Sequence, residues 1–258
     1  MLWGCGRAVP ARTRLYFWPL RMFDDSLFSI PPLDIAALVW FFLLWAGYNL
    51  TVDWVLRRPH GLNQHMGLVR QAWMAAMLKR DDRVIDAILI GHLIHSVTFF
   101  ASTTMLLVAA LVGILAAVNQ TFEAVMSLSF TIRTTKPLFE LKLLLLTAIF
   151  VYAFFKFTWS LRQYNYACAL VGAVPAGLRP ARLSGLAEPA GRVLTLAVVN
   201  FNGGLRAYYF ALAVLSWLVH PVLFMIVSAW MLLVLLRRQL RSRTVKAIRA
   251  FNQAAGEE

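Results

Sequence analysis

The chain has 258 residues, of which 60% are hydrophobic and only 14% are charged. Soluble domains carry about a quarter charged residues, and a water-soluble fold of this length could not hide so much apolar surface. The composition therefore excludes an ordinary soluble domain and predicts a protein that faces lipid. The formal net charge is +13. The basic residues lie between apolar runs, which favours membrane topology and contact with anionic lipids over nucleic-acid binding.

The first 21 residues differ from the rest of the chain. Residues 1–21 carry four arginines with scattered Pro and Gly, and they lack the apolar core of a secretory signal. Met22 then opens a short acidic segment. We predict that Met22 is the true start and that 1–21 are a non-native or disordered extension. Residues 22–240 are predicted to form a single transmembrane domain, and 241–258 a tail that is first basic and then acidic.

The first predicted membrane span runs from about Leu33 to Val52. Pro31-Pro32 precede it and suit the first turn of a helix. About 20 apolar residues cross a bilayer core of ~30 Å, and this segment has that length. A polar stretch with six Lys/Arg follows, over residues 53–83. Apolar residues recur in it at helical spacing, at Met66, Val69, Trp73 and Met77. This pattern predicts a short amphipathic helix, seated at the interface or docked under the bundle.

The second predicted span, from about Asp86 to Val118, has one polar face. Its 33 residues make a helix of roughly 50 Å, so it must tilt or protrude. On a helical wheel its small and polar residues share one arc. The polar members are His92, His95, Ser96, Ser102 and Thr103. This arc has two interpretations: a packing seam at the bundle centre, or the lining of a cavity or path.

The third predicted span, from about Leu138 to Ser160, contains charged residues. Lys142 and Lys156 are two heptads apart and therefore share a helix face. Both lie near the ends of the span, where long side chains can reach the interface. Glu140 and Lys142 point to different faces, so each needs a partner on another helix. Charge inside a membrane span indicates a functional site by default.

The C-terminal half contains a second predicted amphipathic helix, Val193–Asn202, and a fourth span from about Leu205 to Leu236. Pro221 removes a backbone hydrogen bond inside this span and should kink it. The predicted fold is therefore an all-α, polytopic membrane helix bundle of about four transmembrane helices with two short cytoplasmic amphipathic helices.

The distribution of basic residues predicts the orientation. Residues 53–85 and 161–204 contain six and four Lys/Arg, against two in 119–137, so the first two segments are predicted to be cytoplasmic. The C-terminal tail contains six more, yet an even number of spans places it outside. Either the tail is an exception, or one segment is re-entrant rather than spanning.

Polar and aromatic residues gather on the predicted cytoplasmic side. They are Arg70, Trp73, Arg162, Tyr164, Asn165, Asn200, Asn202, Arg206 and Tyr208. One interpretation is an aromatic and basic belt at the membrane interface. The other is a pocket for an anionic head group or a small anion, with Arg70, Arg162 and Arg206 as donors.

No motif of a known catalytic, nucleotide-binding or metal site is present, so we expect no catalytic residues, no metal and no enzyme. The cysteines, Cys5 and Cys168, are isolated. No cofactor is predicted. Haem is an alternative, with His92, His95 and His220 as ligands, although their depths in the membrane fit poorly.

Four blocks of the sequence point to a family. RQAWMAAMLKRDDRVIDAILI (70–90), SVTFFASTTMLLVAALVG (96–113), KFTWSLRQYNYA (156–167) and FNGGLRAYYFALAVLSW (201–217) resemble the domain-of-unknown-function-599 membrane proteins of bacteria and plants. The resemblance covers roughly 22–240. It implies a multi-span membrane protein and supplies no activity.

We therefore expect a multi-pass protein of the bacterial inner (plasma) membrane, in contact with lipids that include anionic ones. Three hypotheses for its function remain. The first is transport of a small solute or ion, or a role as a channel component, which would require a homo-oligomer. The second is a scaffold or assembly partner of another membrane complex. The third is a haem- or quinone-associated redox protein.

Overall fold

The computed structural model describes residues 30–56, 62–80, 82–128, 134–175, 180–240 and 243–255. The predicted start at Met22 and the extension 1–21 lie outside these residues. The described chain forms eight helices and no strand: α1 (Pro32–Leu56), α2 (Leu62–Leu78), α3 (Val84–Ala116), α4 (Val118–Met126), α5 (Lys136–Gly172), α6 (Pro180–Trp217), α7 (Pro221–Leu240) and α8 (Arg243–Ala255). The all-α prediction is confirmed.

Four helices are long and apolar enough to cross a membrane: α1, α3, α5 and α7. Helix α5 is the central one. The structure buries 44% of its most apolar stretch, against 22%, 11% and 22% for α1, α3 and α7. The exposed surfaces of the outer helices are rich in large apolar side chains, as a lipid-facing surface requires.

Helices α5 and α6 are antiparallel along most of their length. Near the start of α5, Lys142 Nζ donates a hydrogen bond of 3.0 Å to the carbonyl of Trp217, at the end of α6. Further along α5, Ser160 Oγ donates one of 2.7 Å to the carbonyl of Ala197. Helix α3 is antiparallel to α5 on another side. At the start of α3, Arg83 donates a hydrogen bond of 3.3 Å to the carbonyl of Val171, near the end of α5.

The predicted fourth span is a hairpin of two helices rather than one kinked helix. Helix α6 ends at Trp217, and α7 begins at Pro221, which occupies the first position of the new helix. The imidazole Nδ1 of His220 accepts a hydrogen bond of 3.0 Å from the Val222 amide and so caps α7. The Trp217 and Phe224 rings stack across the turn at 5.1 Å. The prediction of a kinked span at Leu205–Leu236 is therefore wrong, because Pro221 starts a helix that runs back.

Two further predictions about short helices change with this topology. The segment Val193–Asn202 is not a separate amphipathic helix, since it lies inside the continuous helix α6. The amphipathic helix predicted within 53–83 is present as α2 and docks against α6. Gly191 of α6 allows this contact, because a Cβ there would lie 3.0 Å from the backbone of Gln71.

Among the described residues the hairpin gives the bundle five long helices, α1, α3, α5, α6 and α7, and α6 is not one of the four that are apolar enough to cross a membrane. We call the end with α2, α8 and the α5–α6 connection the basic end, and the end with the α6–α7 turn the opposite end. Helix α1 starts at the opposite end and runs parallel to α7. Trp40 Nε1 donates a hydrogen bond of 3.3 Å to the Met225 carbonyl, and Tyr48 donates one of 3.1 Å to Gln239. The C-terminal tail therefore lies at the same end as α2, which removes the conflict between its charge and the orientation rule.

We expect the C-terminus and the basic end to lie in the cytoplasm. A green fluorescent protein fused after residue 258 should fluoresce, and alkaline phosphatase fused there should be inactive. Alkaline phosphatase fused after Val219, in the α6–α7 turn, should be active. Activity assays on whole cells measure this. An active phosphatase at the C-terminus would contradict this orientation.

Candidate functional site: a buried Asp34–Lys142 ion pair

Three residues from three helices meet at the opposite end of the bundle. Asp34 lies in the first turn of α1, Lys142 lies two turns into α5, and Trp217 is the last residue of α6. An acidic residue in the first helical turn is favoured by the helix dipole. The antiparallel packing of α6 against both α1 and α5 brings the three side chains to the same level.

The three residues form a closed set of polar contacts. Lys142 Nζ lies 3.7 Å from Asp34 Oδ1 and donates to the Trp217 carbonyl at 3.0 Å. Trp217 Nε1 donates a hydrogen bond of 2.7 Å to Asp34 Oδ1. The exposed fractions of Asp34, Lys142 and Trp217 are only 5%, 4% and 1%. A charge this deeply buried persists only when it is paired and hydrogen-bonded.

The indole ring of Trp217 also shields the ammonium group. Lys142 Nζ lies 5.2 Å from the centroid of this ring, within the range of a cation–π contact. Phe224 stacks on the indole at 5.1 Å with an angle of 15° between the rings. The ammonium group is thereby surrounded by one carboxylate, one carbonyl and one aromatic face.

A cavity of about 150 Å³ adjoins the ion pair. Its lining is Pro31, Leu33, Asp34, Thr134, Lys142, Val219 and Pro221. Thr134 Oγ1 is buried and has no hydrogen-bond partner among the described residues. The lining is mostly apolar, with polar atoms from Asp34, Thr134 and Lys142, and the volume is large enough for a few water molecules or a small ion. The pair thus combines an acid and a base with space beside them for a water molecule or a small ion.

The structure changes the interpretation of the charged residues of α5. Lys142 does not extend to the interface, because it is buried against Asp34. Lys142 therefore has the partner on another helix that the sequence analysis expected, and this partner is Asp34. Glu140 instead lies 3.8 Å from Lys136 on its own helix, in a largely exposed pair. Lys156 Nζ donates a hydrogen bond of 3.2 Å to Asn200 Oδ1 on α6.

Asp34 and Trp217 were not predicted as site residues from the sequence. Asp34 had one usable signal, since an acidic residue inside a predicted span needs a cationic partner. Trp217 gave no such signal, because tryptophan at the end of a span is the ordinary interfacial anchor.

A second cluster of the same composition lies at the basic end. Trp73 Nε1 donates a hydrogen bond of 2.6 Å to Asp86 Oδ1, and the Arg80 guanidinium lies 3.2 Å from both carboxylate oxygens. Asp86 is 1% exposed, whereas the Arg80 side chain is 52% exposed. This cluster joins α2 to α3. Trp73 was named from the sequence but its partners Asp86 and Arg80 were not, because Asp86 was placed at the boundary of the second span.

The predicted cytoplasmic polar cluster does not form one pocket. Arg70 is buried, and its Nη1 lies 3.5 Å from Thr195 Oγ1. Burial lowers the pKa of the Arg70 guanidinium, and the neighbouring Tyr164 acts in the opposite direction. Arg162 and Asn165 are exposed on the outside of α5.

The remaining residues of this cluster lie on α6. Asn200 contacts Lys156, and its amide lies 2.8 Å from the amide of Gln163. Asn202 is half-buried. The Tyr208 hydroxyl lies 2.7 Å from Thr104 Oγ1 inside the bundle. The structure does not bring together the predicted anion donors, Arg70, Arg162 and Arg206, since Arg70 lies beside Thr195, Arg162 is exposed and Arg206 lies over the Tyr48 ring.

The polar face predicted on α3 points out of the bundle. His92, His95, Ser96 and Ser102 are exposed, and Thr103 is half-buried. The buried face of α3 consists of Asp86, Ile90, Val97, Ala101, Thr104 and Leu111. The polar arc is therefore not part of a packed seam within this chain, since a different face of α3 packs against α5.

The histidines proposed as haem ligands do not converge within one chain. His92 and His95 lie in the first half of α3, towards the basic end, and His220 lies in the α6–α7 turn at the opposite end. Among the described residues no group of three or more His, Cys, Asp or Glu has a metal-binding arrangement. Haem remains a prediction that an absorption spectrum tests.

A family model described as "Protein of unknown function, DUF599" matches residues 36–244. The chain belongs to this family. The match confirms the resemblance and includes Lys142 and Trp217, and it begins two residues after Asp34. No curated protein and no solved structure matches the chain. The family description assigns no activity to this DUF599 protein, so its function has to be argued from the site.

The buried pair should couple strongly in stability measurements. Asp34→Asn or Lys142→Met alone should lower the free energy of unfolding by about 3–5 kcal/mol, because each leaves an uncompensated buried group. The double variant should lose less than the sum of the two. Thermal unfolding in mild detergent measures this. The exposed pair gives the control, and Lys136→Met with Glu140→Gln should change stability little. Additive losses at Asp34 and Lys142 would contradict the pairing.

Proposed function

We propose that this DUF599 protein is a non-catalytic membrane protein that conducts a small ion, with a proton exchanged at the Asp34–Lys142 pair. The observation that carries the proposal is a buried acid–base pair that lines a cavity of about 150 Å³, in a bundle of membrane-length helices. Ionisable residues inside membrane bundles mark ion pathways and proton relays.

The pair suits proton exchange because its two protonation states have the same total charge. Transfer of the ammonium proton to the carboxylate converts an ion pair into an amine and a carboxylic acid. Trp217 stays bonded to Asp34 through its indole N–H, and its carbonyl still accepts from the Lys142 amine. An ion or a water molecule in the cavity competes with Asp34 or Lys142 for the contact between them. This competition allows the pair to pass a proton on.

Further polar groups lie along α6 towards the basic end. The Tyr208 hydroxyl contacts Thr104, Asn200 contacts Lys156, and Thr195 contacts Arg70. At 1.5 Å per residue the steps from Trp217 to Tyr208 and from Tyr208 to Asn200 are about 12–14 Å. Hydrogen-bonded water has to enter these intervals for a proton to cross, so conduction requires the α5–α6 contact to loosen.

We further propose that the protein lies in the inner membrane of a bacterium with its basic end in the cytoplasm. The cavity beside Asp34 then faces the outside. The cavity lies at the end of the bundle opposite to the basic end. Positively charged segments are retained in the cytoplasm, which supports this orientation.

Proton flux into liposomes tests the proposed function. Purified protein is reconstituted with an internal pH-sensitive dye, and a potassium gradient with valinomycin drives proton entry. We expect protein-dependent acidification that falls to the level of empty liposomes in the Asp34→Asn/Lys142→Met double variant. The Lys136→Met/Glu140→Gln variant serves as the control and should match the unmodified protein. Equal flux in both double variants, or none in any, would overturn the proposal.

A second candidate function is assembly, and the outward polar face of α3 favours it. His92, His95, Ser96 and Ser102 face the lipid region, where a polar side chain gains by contacting another helix. We propose a second copy of this chain as the partner.

Oligomeric state in mild detergent tests the assembly proposal. A Cβ at Gly113 on this face meets no atom within 4 Å, and the same holds for Gly47 on α1. Gly113→Leu should therefore leave the monomer folded but convert an oligomer to monomer in native mass spectrometry. Gly47→Leu is the matched control and should preserve the oligomer. A monomeric unmodified protein would rule out self-assembly through α3.

A further inference from the structure

Helix α3 carries a regular seam of exposed residues on the side that points away from the bundle. The members of this outer seam follow one another at alternating steps of three and four residues, and they are His92, His95, Phe99, Ser102, Leu106, Ala109 and Gly113. Every one of them is exposed. The buried face, which includes Val97 and Thr104, lies on the other side of the helix. Alternating steps of three and four residues are the spacing with which two helices pack along each other.

The composition of the outer seam suits another helix better than it suits lipid. Phe99 and Leu106 are ordinary lipid-facing side chains, with exposed fractions of 62% and 72%. The other members are polar or small, and small residues allow two membrane helices to approach closely. Helix α3 is also the least buried of the four membrane-length helices, at 11% of its most apolar stretch. The outer seam is therefore open to a partner along its whole length.

The membrane fixes how a second copy of this chain would meet the outer seam. Copies of one chain are inserted with the same orientation, so a closed pair has its two-fold axis along the membrane normal. The two α3 helices then run parallel, and each seam residue meets the same residue of the other copy. This arrangement brings two copies of His92 and two copies of His95 to adjacent levels of one interface.

The two histidines of each chain are arranged to act together. Residues three positions apart on a helix lie roughly 60° apart around the axis and ~4.5 Å apart along it. Pairs with this spacing on facing helices supply the ligands of metal sites in helix bundles. Ser96 lies beside His92, but its hydroxyl donates to the His92 carbonyl at 3.1 Å and not to the imidazole. Neither imidazole forms a hydrogen bond or an ion pair with another described residue.

We propose that two copies of this chain bind one transition-metal centre between their α3 helices, through His92 and His95. The inference rests on the assembly proposed above, and it extends that assembly from a contact to a binding site. One chain supplies only half of the ligands, which agrees with the absence of a group of three or more potential ligands among the described residues. His220 has no part in this centre, because it lies at the opposite end of the bundle.

Two forms of the metal have the required chemistry. Imidazole nitrogens bind zinc, copper and iron as bare ions, and histidine also binds the iron of haem. The ligands are neutral, so a bare divalent ion keeps both of its charges, whereas the porphyrin of haem offsets the charge of its iron. His92 and His95 lie about 12 and 16 Å along α3 from Val84. The centre is therefore in the basic half of the bundle in either case.

Metal binding by the full chain in mild detergent tests the inference. The purified protein is titrated with haemin and, separately, with Zn²⁺, while the absorption spectrum, the native mass and thermal unfolding are recorded. We expect a dimer that binds one centre for every two chains. Binding should weaken in His92→Leu and in His95→Leu and be lost in the double variant. Leucine suits a lipid-exposed position, so the fold should be kept. Thr98→Leu removes an exposed polar side chain of α3 outside the outer seam, and it should bind as the unmodified protein does.

Gly113→Leu separates the metal site from the assembly. This variant keeps both histidines but should be monomeric, and we expect it to lose the centre as well. Binding of haemin with a Soret band, absent from the double histidine variant, assigns the centre to haem, and binding of Zn²⁺ alone assigns it to a bare ion. A dimer that binds neither would overturn the metal site and leave the assembly standing, whereas a monomeric unmodified protein would overturn both. Binding by the Gly113→Leu monomer, or equal binding in the double histidine variant and Thr98→Leu, would also overturn the inference.

Discussion

The close contact between α5 and α6 is the constraint on which the rest of the bundle depends. Gly204 lies against the ring of Phe157, and any Cβ at that position would overlap the ring. Small residues extend the contact along α6, where Ala207 and Ala211 are fully buried. Lipid provides no hydrophobic force between helices, so close packing and interhelical hydrogen bonds have to hold them together. Helices α1, α3 and α7 then pack on this pair with much of their own surface left to lipid.

Two clusters of tryptophan, aspartate and a cation lie at the two ends of this scaffold. In both, the indole N–H and the cation share one buried carboxylate, at Asp34 and at Asp86. Their cations differ, since Lys142 is enclosed and Arg80 is half-exposed. A half-exposed pair next to water has a small desolvation cost, whereas the enclosed pair has a large one. That difference, together with the adjoining cavity, is why we assign a functional role to the Asp34 cluster and a structural one to the Asp86 cluster.

Sequence reasoning located the apolar helices α1, α3 and α5 well, because length and hydropathy alone determine them. It missed the separation of α6 from α7. Helix α6 carries Asn200, Asn202 and Arg206, and at least Asn200 is satisfied by partners on α5 that are distant in sequence. The polar face of α3 was assigned inward for a related reason. When every face of a helix is apolar enough for lipid, periodicity does not say which face meets the protein.

The separation of the site residues along the chain has a consequence for biosynthesis. Trp217 follows Asp34 by 183 positions and Lys142 by 75. The ribosome therefore delivers the carboxylate to the translocon with the first helix, long before its indole partner exists. Asp34 lies in the first turn of α1, so this carboxylate is at an end of the first helix and not in its middle. Trp217 contacts both Asp34 and Lys142, so we expect α1 and α5 to become locked together only when α6 has packed against them.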